Sequence, residues 1–119
     1  IADGEIIFRE WVTGYGGVVV VRHVLNEIPV LAIYGHLDPT SFLPVNYGEV
    51  NSGQQIGILG DDHSEETDGV RKHLHFAVYP EQSRRVYPDK EEEKIDFRGY
   101  VATEEELEKW FNPLDFYLE

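Results

Sequence analysis

Apolar and polar residues alternate along much of this chain in short runs, which are separated by Gly, Pro and Asn. Alternation with a period of two is typical of strands with one buried face, and the intervening residues favour turns. The unbroken β-branched run at 18–21 predicts a strand that is buried on both faces. The pattern therefore predicts an all-β-dominated fold, with strands near residues 5–9, 17–23, 30–34, 55–59 and 74–78 and a weaker one near 95–100.

The connections and one helix are also visible in the sequence. Residues 14–17 and the pair Asn26-Glu27 favour hairpin turns, while residues 39–52, with two Pro and one Gly, favour a loop. Thr103 and the three Glu that follow it form a capping box. An apolar stripe with helical spacing comes next, made of Leu107, Trp110 and Phe111. We therefore expect one C-terminal α-helix.

Length and composition limit the possible classes of protein. The 119 residues suffice for one domain, and we expect residues 1–80 to form its core and 81–119 a C-terminal extension with the helix. The net charge of −13 argues against a nucleic-acid partner, because phosphate contacts need clustered Lys and Arg. No apolar run is long enough to cross a membrane, and the absence of Cys excludes disulfides and thiolate chemistry. The oligomeric state is unknown from the sequence.

Three histidines on two predicted strands form the candidate site. His73 and His75 lie two residues apart, so an extended backbone points both imidazoles to one face and Leu74 and Phe76 to the other. His36 ends an earlier apolar strand. Neutral imidazole is the commonest metal ligand and the side chain that moves protons near pH 7. Such a pair also occurs on solvated, hydrogen-bonded strand faces, so the pattern alone leaves both interpretations open.

These histidines belong to a series of segments: Ala2-Asp3-Gly4-Glu5-Ile6-Ile7, Gly16-Gly17-Val18-Val19-Val20-Val21-Arg22-His23, Tyr34-Gly35-His36-Leu37, Gly53-Gln54-Gln55-Ile56-Gly57-Ile58-Leu59-Gly60 and His73-Leu74-His75-Phe76-Ala77-Val78. In this order they resemble the zinc metallopeptidases of the lysostaphin and LytM type, which cut peptide bonds in bacterial peptidoglycan. The combination of Tyr-x-His-Leu and His-Leu-His-Phe, with the Gly-Gln-x-Ile-Gly turn between them, is specific.

The resemblance implies an antiparallel β-sandwich with a groove, and a zinc-dependent endopeptidase that acts on peptidoglycan peptides outside the cytoplasm. It also implies that His75 binds Zn²⁺, while His36 and His73 act on the attacking water and the tetrahedral intermediate. In such enzymes zinc keeps three protein ligands, lowers the pKa of its bound water and polarises the scissile carbonyl. The resemblance does not separate the roles of His36 and His73.

Two zinc ligands of that family have no counterpart in these 119 residues. In the family they are the ends of a His-x-x-x-Asp motif upstream of the Ala-Asp-Gly strand, and no His of this chain is followed by Asp at that spacing. We expect an N-terminally incomplete domain, because a relative that had lost catalysis would have no chemical need to keep all three site histidines. This chain alone should be inactive, because the two ligands are missing from it. The alternatives are a degenerate, metal-free binding or regulatory module, and a substitute ligand set from Asp61, Asp62 or His63.

Other β-sandwich proteins offer weaker parallels. The turn at residues 50–57 also resembles that of biotinyl and lipoyl carrier domains, but no Lys lies at a hairpin tip to carry the cofactor. A sugar-phosphotransfer carrier would use a phosphorylatable His and would not need the Tyr-x-His-Leu segment. We expect the acidic loop, residues 61–68, to be solvated surface and His23 to be a packed or surface residue.

Overall fold

The computed structural model describes residues 1–80 and the short strands at 85–86 and 93–94. Five strands form one antiparallel sheet in the order β4-β1-β2-β3-β5, and two more form a separate pair, β6-β7. The strands are β1 (Gly4–Val12), β2 (Gly16–Leu25), β3 (Ile28–Leu37), β4 (Glu49–Val50), β5 (His75–Pro80), β6 (Arg85–Val86) and β7 (Glu93–Lys94). A 3₁₀ turn at Pro39–Ser41 follows β3. The described residues thus confirm the all-β, antiparallel architecture.

The expected β-sandwich and C-terminal helix stay predictions. The helix, which would begin near residue 103, and the weak strand near 95–100 lie outside the described residues. Within the described part of the chain, no helix has the length and apolar character needed to cross a membrane.

Two tight hairpins build the centre of the sheet. Residues 13–15 join β1 to β2, and Asn26-Glu27 joins β2 to β3. Asn26 and Glu27 have φ of 50° and 67°. Two consecutive positive φ values are typical of a type I′ turn, whose twist matches that of the flanking strands. Both predicted hairpin connections are confirmed.

The central strand β2 is buried on both faces, as its β-branched run predicts, because none of Val18 to Val21 is more than 1% exposed. Alternation sends these side chains into two clusters. The cluster on the covered face contains Ile6, Val19, Val21, Val30, Ala32, Tyr34 and Val78, and the loop residues Phe42, Ile56 and Leu59 pack against it. The cluster on the opposite face, here called the histidine face, contains Val18, Val20, Leu31 and Ile33.

The predicted strand at residues 55–59 is wrong. This segment makes a single antiparallel bridge, between Leu37 and Leu59. The backbone N–H of Ile58 donates to the Ser41 hydroxyl at 2.8 Å instead of to a strand carbonyl. Because the Ser41 side chain of the 3₁₀ turn replaces a strand carbonyl as the acceptor, no continuous ladder forms. Ile56 and Leu59 pack against the core from an irregular loop.

Candidate functional site

His75 is the first residue of β5 and lies opposite Gly35 of β3 in the sheet register. Ile33 and Ala77 are the next pair on the same face, which places His75 on the histidine face. A methyl group at Gly35 would come within 3.2 Å of the His75 Cβ, so the glycine makes room for this imidazole. Gly35, the glycine of the Tyr-Gly-His-Leu segment, therefore has a packing role against His75.

The His75 ring is poor in polar partners. Its Nε2 is buried and has no hydrogen-bond partner among the described residues. Burial lowers the pKa of His75, and the neighbouring positive charges that His36 and His73 carry when protonated lower it further. A neutral imidazole with an unpaired nitrogen is what a ligand site requires.

His36 reaches the same cluster because of an irregularity in β3. The β2–β3 register shifts between Gly17 and Val19, which pair with Leu37 and Tyr34, so β3 contains one extra residue there. His36 has φ of 63°, in the left-handed region. Such β-bulges turn a side chain away from the direction that simple alternation gives it. The bulge lets His36 join His75 while Leu37 returns to the core of the covered face.

Backbone hydrogen bonds hold His36 on both sides. Its N–H donates to the Tyr15 carbonyl at 2.6 Å, and its carbonyl accepts from the Gly60 N–H at 2.8 Å. Its Nδ1 lies 2.7 Å from the Glu66 carbonyl oxygen, in the acidic loop. His36 is 6% exposed, so these contacts fix a largely buried ring.

His73 precedes β5, and its Nδ1 lies 2.6 Å from the Arg71 carbonyl oxygen. A carbonyl oxygen only accepts hydrogen bonds, so Nδ1 carries the proton in His73 and, by the same argument, in His36. In the neutral ring the lone pair is then on Nε2. Both histidines therefore have Nε2 as the basic nitrogen.

The three imidazoles converge. The His36 ring centroid lies 4.5 Å from that of His73 and 5.8 Å from that of His75. Tyr15 closes one side, 5.2 Å from His75 in an edge-on arrangement and 6.3 Å from His36 in a stacked one. The structure thus brings together all three residues that the sequence singled out, while their individual roles stay predictions.

Three contributions to the site were missed in the sequence. Tyr15 lies in the β1–β2 connection, where the flanking glycines indicated only a turn. The Glu66 and Arg71 carbonyls act through their backbone, which leaves no side-chain signal in a sequence. A polar aromatic between glycines was the one available signal, since turns between strands often carry functional residues.

The remaining two histidines lie apart from the cluster. His23 is 2% exposed and shares the covered face of β2 with Val21, so it is a packed residue, as expected. Its Nδ1 donates to the Asp3 carbonyl at 2.9 Å. His63 is exposed in the acidic loop, with Nδ1 2.9 Å from Asp62 Oδ2.

The described residues do not make a zinc site by themselves. Over the described residues, no group of three or more His, Asp or Glu side chains is arranged to hold a metal ion. This also gives no support to a substitute ligand set from the acidic loop, where the Asp62 carboxylate is engaged by His63 and by the Lys72 N–H. The unpaired Nε2 of His75 fits a ligand role, but a hydrolytic zinc needs three protein ligands.

Comparison with known proteins agrees with the resemblance noted in the sequence. The sequence profile of peptidase family M23 matches residues 1–88. Over 78 residues the chain is 32% identical to the murein hydrolase activator EnvC of Escherichia coli (strain K12). That alignment covers 66% of this chain and only 16% of the relative, so the chain spans a small part of that protein. Because the profile covers well over half of the sequence and all three site histidines, the chain belongs to peptidase family M23.

Proposed function

We propose that this chain contributes the proton-handling half of a zinc-dependent hydrolase that cleaves peptide bonds in bacterial peptidoglycan. The observation that carries the proposal is the approach of the His73 and His75 rings to the His36 ring, with centroid distances of 4.5 and 5.8 Å. Membership in peptidase family M23 and the similarity to a protein named for murein hydrolase activation support the substrate class. Since that substrate lies in the cell envelope, the proposed location is extracytoplasmic.

The proposed work of His36 and His73 follows from their hydrogen bonds. Each has Nδ1 fixed against a carbonyl and Nε2 as the basic nitrogen. A neutral ring of this kind accepts a proton from an attacking water, and a protonated one donates to a developing oxyanion or a leaving amine. The ring centroids of His36 and His73 lie 4.5 Å apart, so one imidazole could accept the proton while the other donates one. The buried, unpaired His75 is the proposed metal ligand.

The proposal requires two further metal ligands, and the His-x-x-x-Asp motif of the family does not occur in these 119 residues. His75 is the single family ligand among them, and the described residues hold no three-membered group. We therefore propose that the working site also includes residues from outside this sequence. We further propose that residues 1–119 belong to one domain, with 1–80 as its core and 81–119 as an extension.

A second candidate is a metal-free binding or regulatory module of the same fold. Two observations favour it: the absence of a metal-holding group among the described residues, and the relative's name as an activator. In this case the surface around the histidine cluster would bind a partner or a cell-wall peptide without cleaving it. The two candidates differ in whether zinc produces turnover.

The test is hydrolysis of purified peptidoglycan by the full-length gene product loaded with zinc, with muropeptide products identified by mass spectrometry. We expect chelation to abolish turnover and His75→Ala to lose both zinc and activity. His36→Ala and His73→Ala should keep zinc and lose about 10²–10⁴-fold in kcat, the usual contribution of a general acid or base.

Glu49→Ala is the matched control, because it removes an exposed side chain of β4, at the opposite edge of the sheet from β5. It should leave zinc content and kcat unchanged. Wild-type protein that binds no zinc and releases no muropeptide would support the metal-free module instead. Full turnover by His75→Ala would refute the assignment of the metal ligand.

A further inference from the structure

The peptide unit between Arg71 and Lys72 is held by hydrogen bonds at both of its polar ends. Its carbonyl oxygen lies 2.6 Å from His73 Nδ1. Its N–H donates to Asp62 Oδ1 at 2.7 Å. One peptide group therefore links a carboxylate of the acidic loop to an imidazole of the candidate site.

The two hydrogen bonds reinforce each other. A hydrogen bond from a peptide N–H to an ionised carboxylate is charge-assisted, and it is shorter and stronger than a neutral one. Because the amide is conjugated, polarising its N–H increases the negative charge on its carbonyl oxygen, which strengthens the second bond in the chain. The arrangement also fixes the plane of the peptide, and hence the direction in which the carbonyl meets His73.

The carboxylate is itself oriented. Its second oxygen, Oδ2, lies 2.9 Å from His63 Nδ1, so both oxygens have a defined partner. The hydrogen bond from the Lys72 backbone is the main cause that lowers the pKa of Asp62, and the bond from His63 adds to it. Asp62 is thus ionised near neutral pH and acts as an acceptor.

We propose that Asp62 is a positioning residue for His73: through the Arg71–Lys72 peptide it holds the proton of His73 on Nδ1 and leaves Nε2 directed at the reacting groups. The catalytic consequence rests on the proposed function, whereas the effect on the imidazole tautomer does not. The relation resembles that of a buried carboxylate that orients a catalytic histidine, with a peptide group inserted between the two side chains.

The side chain is well suited to substitution. Asp62 is exposed, so removing it creates no cavity. Asp62→Ala removes the acceptor, while Asp62→Asn keeps an oxygen that accepts from the Lys72 N–H. The matched control is Asp61→Ala, which removes the same charge from the neighbouring exposed position.

The experiment measures the tautomer of His73 in the full-length protein by imidazole ¹⁵N NMR at about pH 8.5, about two units above the ordinary histidine pKa. Wild-type protein, Asp62→Asn and Asp61→Ala should show the proton on Nδ1 of His73. In Asp62→Ala we expect a mixture of both tautomers. In the peptidoglycan assay the same variant should lose about 10-fold in kcat, with KM and zinc content unchanged.

The outcomes separate this inference from the proposed function. An inactive wild-type protein would refute the hydrolase, and the tautomer of His73 would still decide the role of Asp62. A wild-type tautomer in Asp62→Ala would overturn the inference, as would equal losses in Asp62→Ala and Asp61→Ala. A loss in Asp62→Asn as large as in Asp62→Ala would overturn it too, because that variant keeps the acceptor.

Discussion

At the scale of single residues, the same side chain has different properties in different surroundings. His36, His73 and His75 converge, His23 is buried in the core, and His63 is exposed. Backbone carbonyls fix which nitrogen of His36 and His73 carries the proton, and burial lowers the pKa of His75. Local geometry thus gives each imidazole its chemistry.

The buried His23 makes stability depend on pH. Burial lowers its pKa in the folded protein, and the hydrogen bond to the Asp3 carbonyl offsets this only in part. In the unfolded chain the His23 imidazole binds a proton at about pH 6.5, whereas in the folded chain it does so only at a lower pH. The contribution of neutral His23 to the free energy of unfolding is therefore present above about pH 6.5 and is lost as the pH decreases below that value. One such proton accounts for a slope of up to about 1.4 kcal/mol per pH unit.

We expect urea-unfolding free energies, measured between about pH 7.5 and pH 5, to fall less steeply for His23→Gln than for the wild type. Val24→Ala is the control, since it changes an exposed side chain of the same strand that carries no ionisable group. Equal slopes for wild type and His23→Gln would contradict this account of His23.

At the scale of elements, the acidic loop is more than solvated surface. Its Glu66 carbonyl fixes His36, and its Asp62 side chain holds the peptide that fixes His73. The loop is ordered around Thr67, which is completely buried. The Thr67 hydroxyl accepts from the Ser64 N–H at 3.1 Å and lies 3.2 Å from the Ser64 carbonyl. Hydrogen bonds of the buried Thr67 side chain therefore stabilise this short loop.

Removal of the Thr67 hydroxyl should loosen the loop. Thr67→Val keeps the size of the side chain but leaves the half-buried Ser64 amide without its acceptor, at a cost of about 0.5–1.5 kcal/mol. We expect this loss in urea unfolding, together with faster amide hydrogen exchange over residues 61–70. Thr67→Ser keeps the hydroxyl and should stay closer to wild type, whereas unchanged exchange in Thr67→Val would show that the hydroxyl does not order the loop.

At the scale of the whole molecule, the described residues bring three imidazoles together without a full set of metal ligands. One sheet positions the histidine cluster on the face of its smaller apolar cluster, and the larger apolar cluster lies on the other face. The net charge of −13 favours cation attraction in general, but over the part of the chain that the structure describes it creates no ordered site for a metal.

We therefore expect the 119-residue chain, expressed alone, to bind zinc far more weakly than a complete site, for which apparent binding free energies reach about 10–16 kcal/mol. Equilibrium dialysis against zinc and a competing chelator measures this directly. One tightly held zinc per chain would show that the 119 residues contain a full ligand set, and His75→Ala would then reveal whether His75 belongs to it.

The four longest strands, the two hairpins and the identity of the three histidines follow from the amino-acid sequence alone. These features depend on local rules: period-two alternation, turn residues, and the fixed spacing of His73 and His75. Local rules also explain the failure at residues 55–59, where the apolar pattern of a strand occurs in a loop that bonds to the Ser41 side chain.

The arrangement of those histidines, in contrast, depends on the folded chain. The bulge that redirects His36, the carbonyls of Glu66 and Arg71, the approach of Tyr15 and the link from Asp62 to His73 all join residues whose contact depends on the folded backbone. Backbone carbonyls are the same for every residue type, and a bulge depends on the register between two strands. For this reason sequence identifies the imidazoles, while three-dimensional packing sets their tautomers and directions.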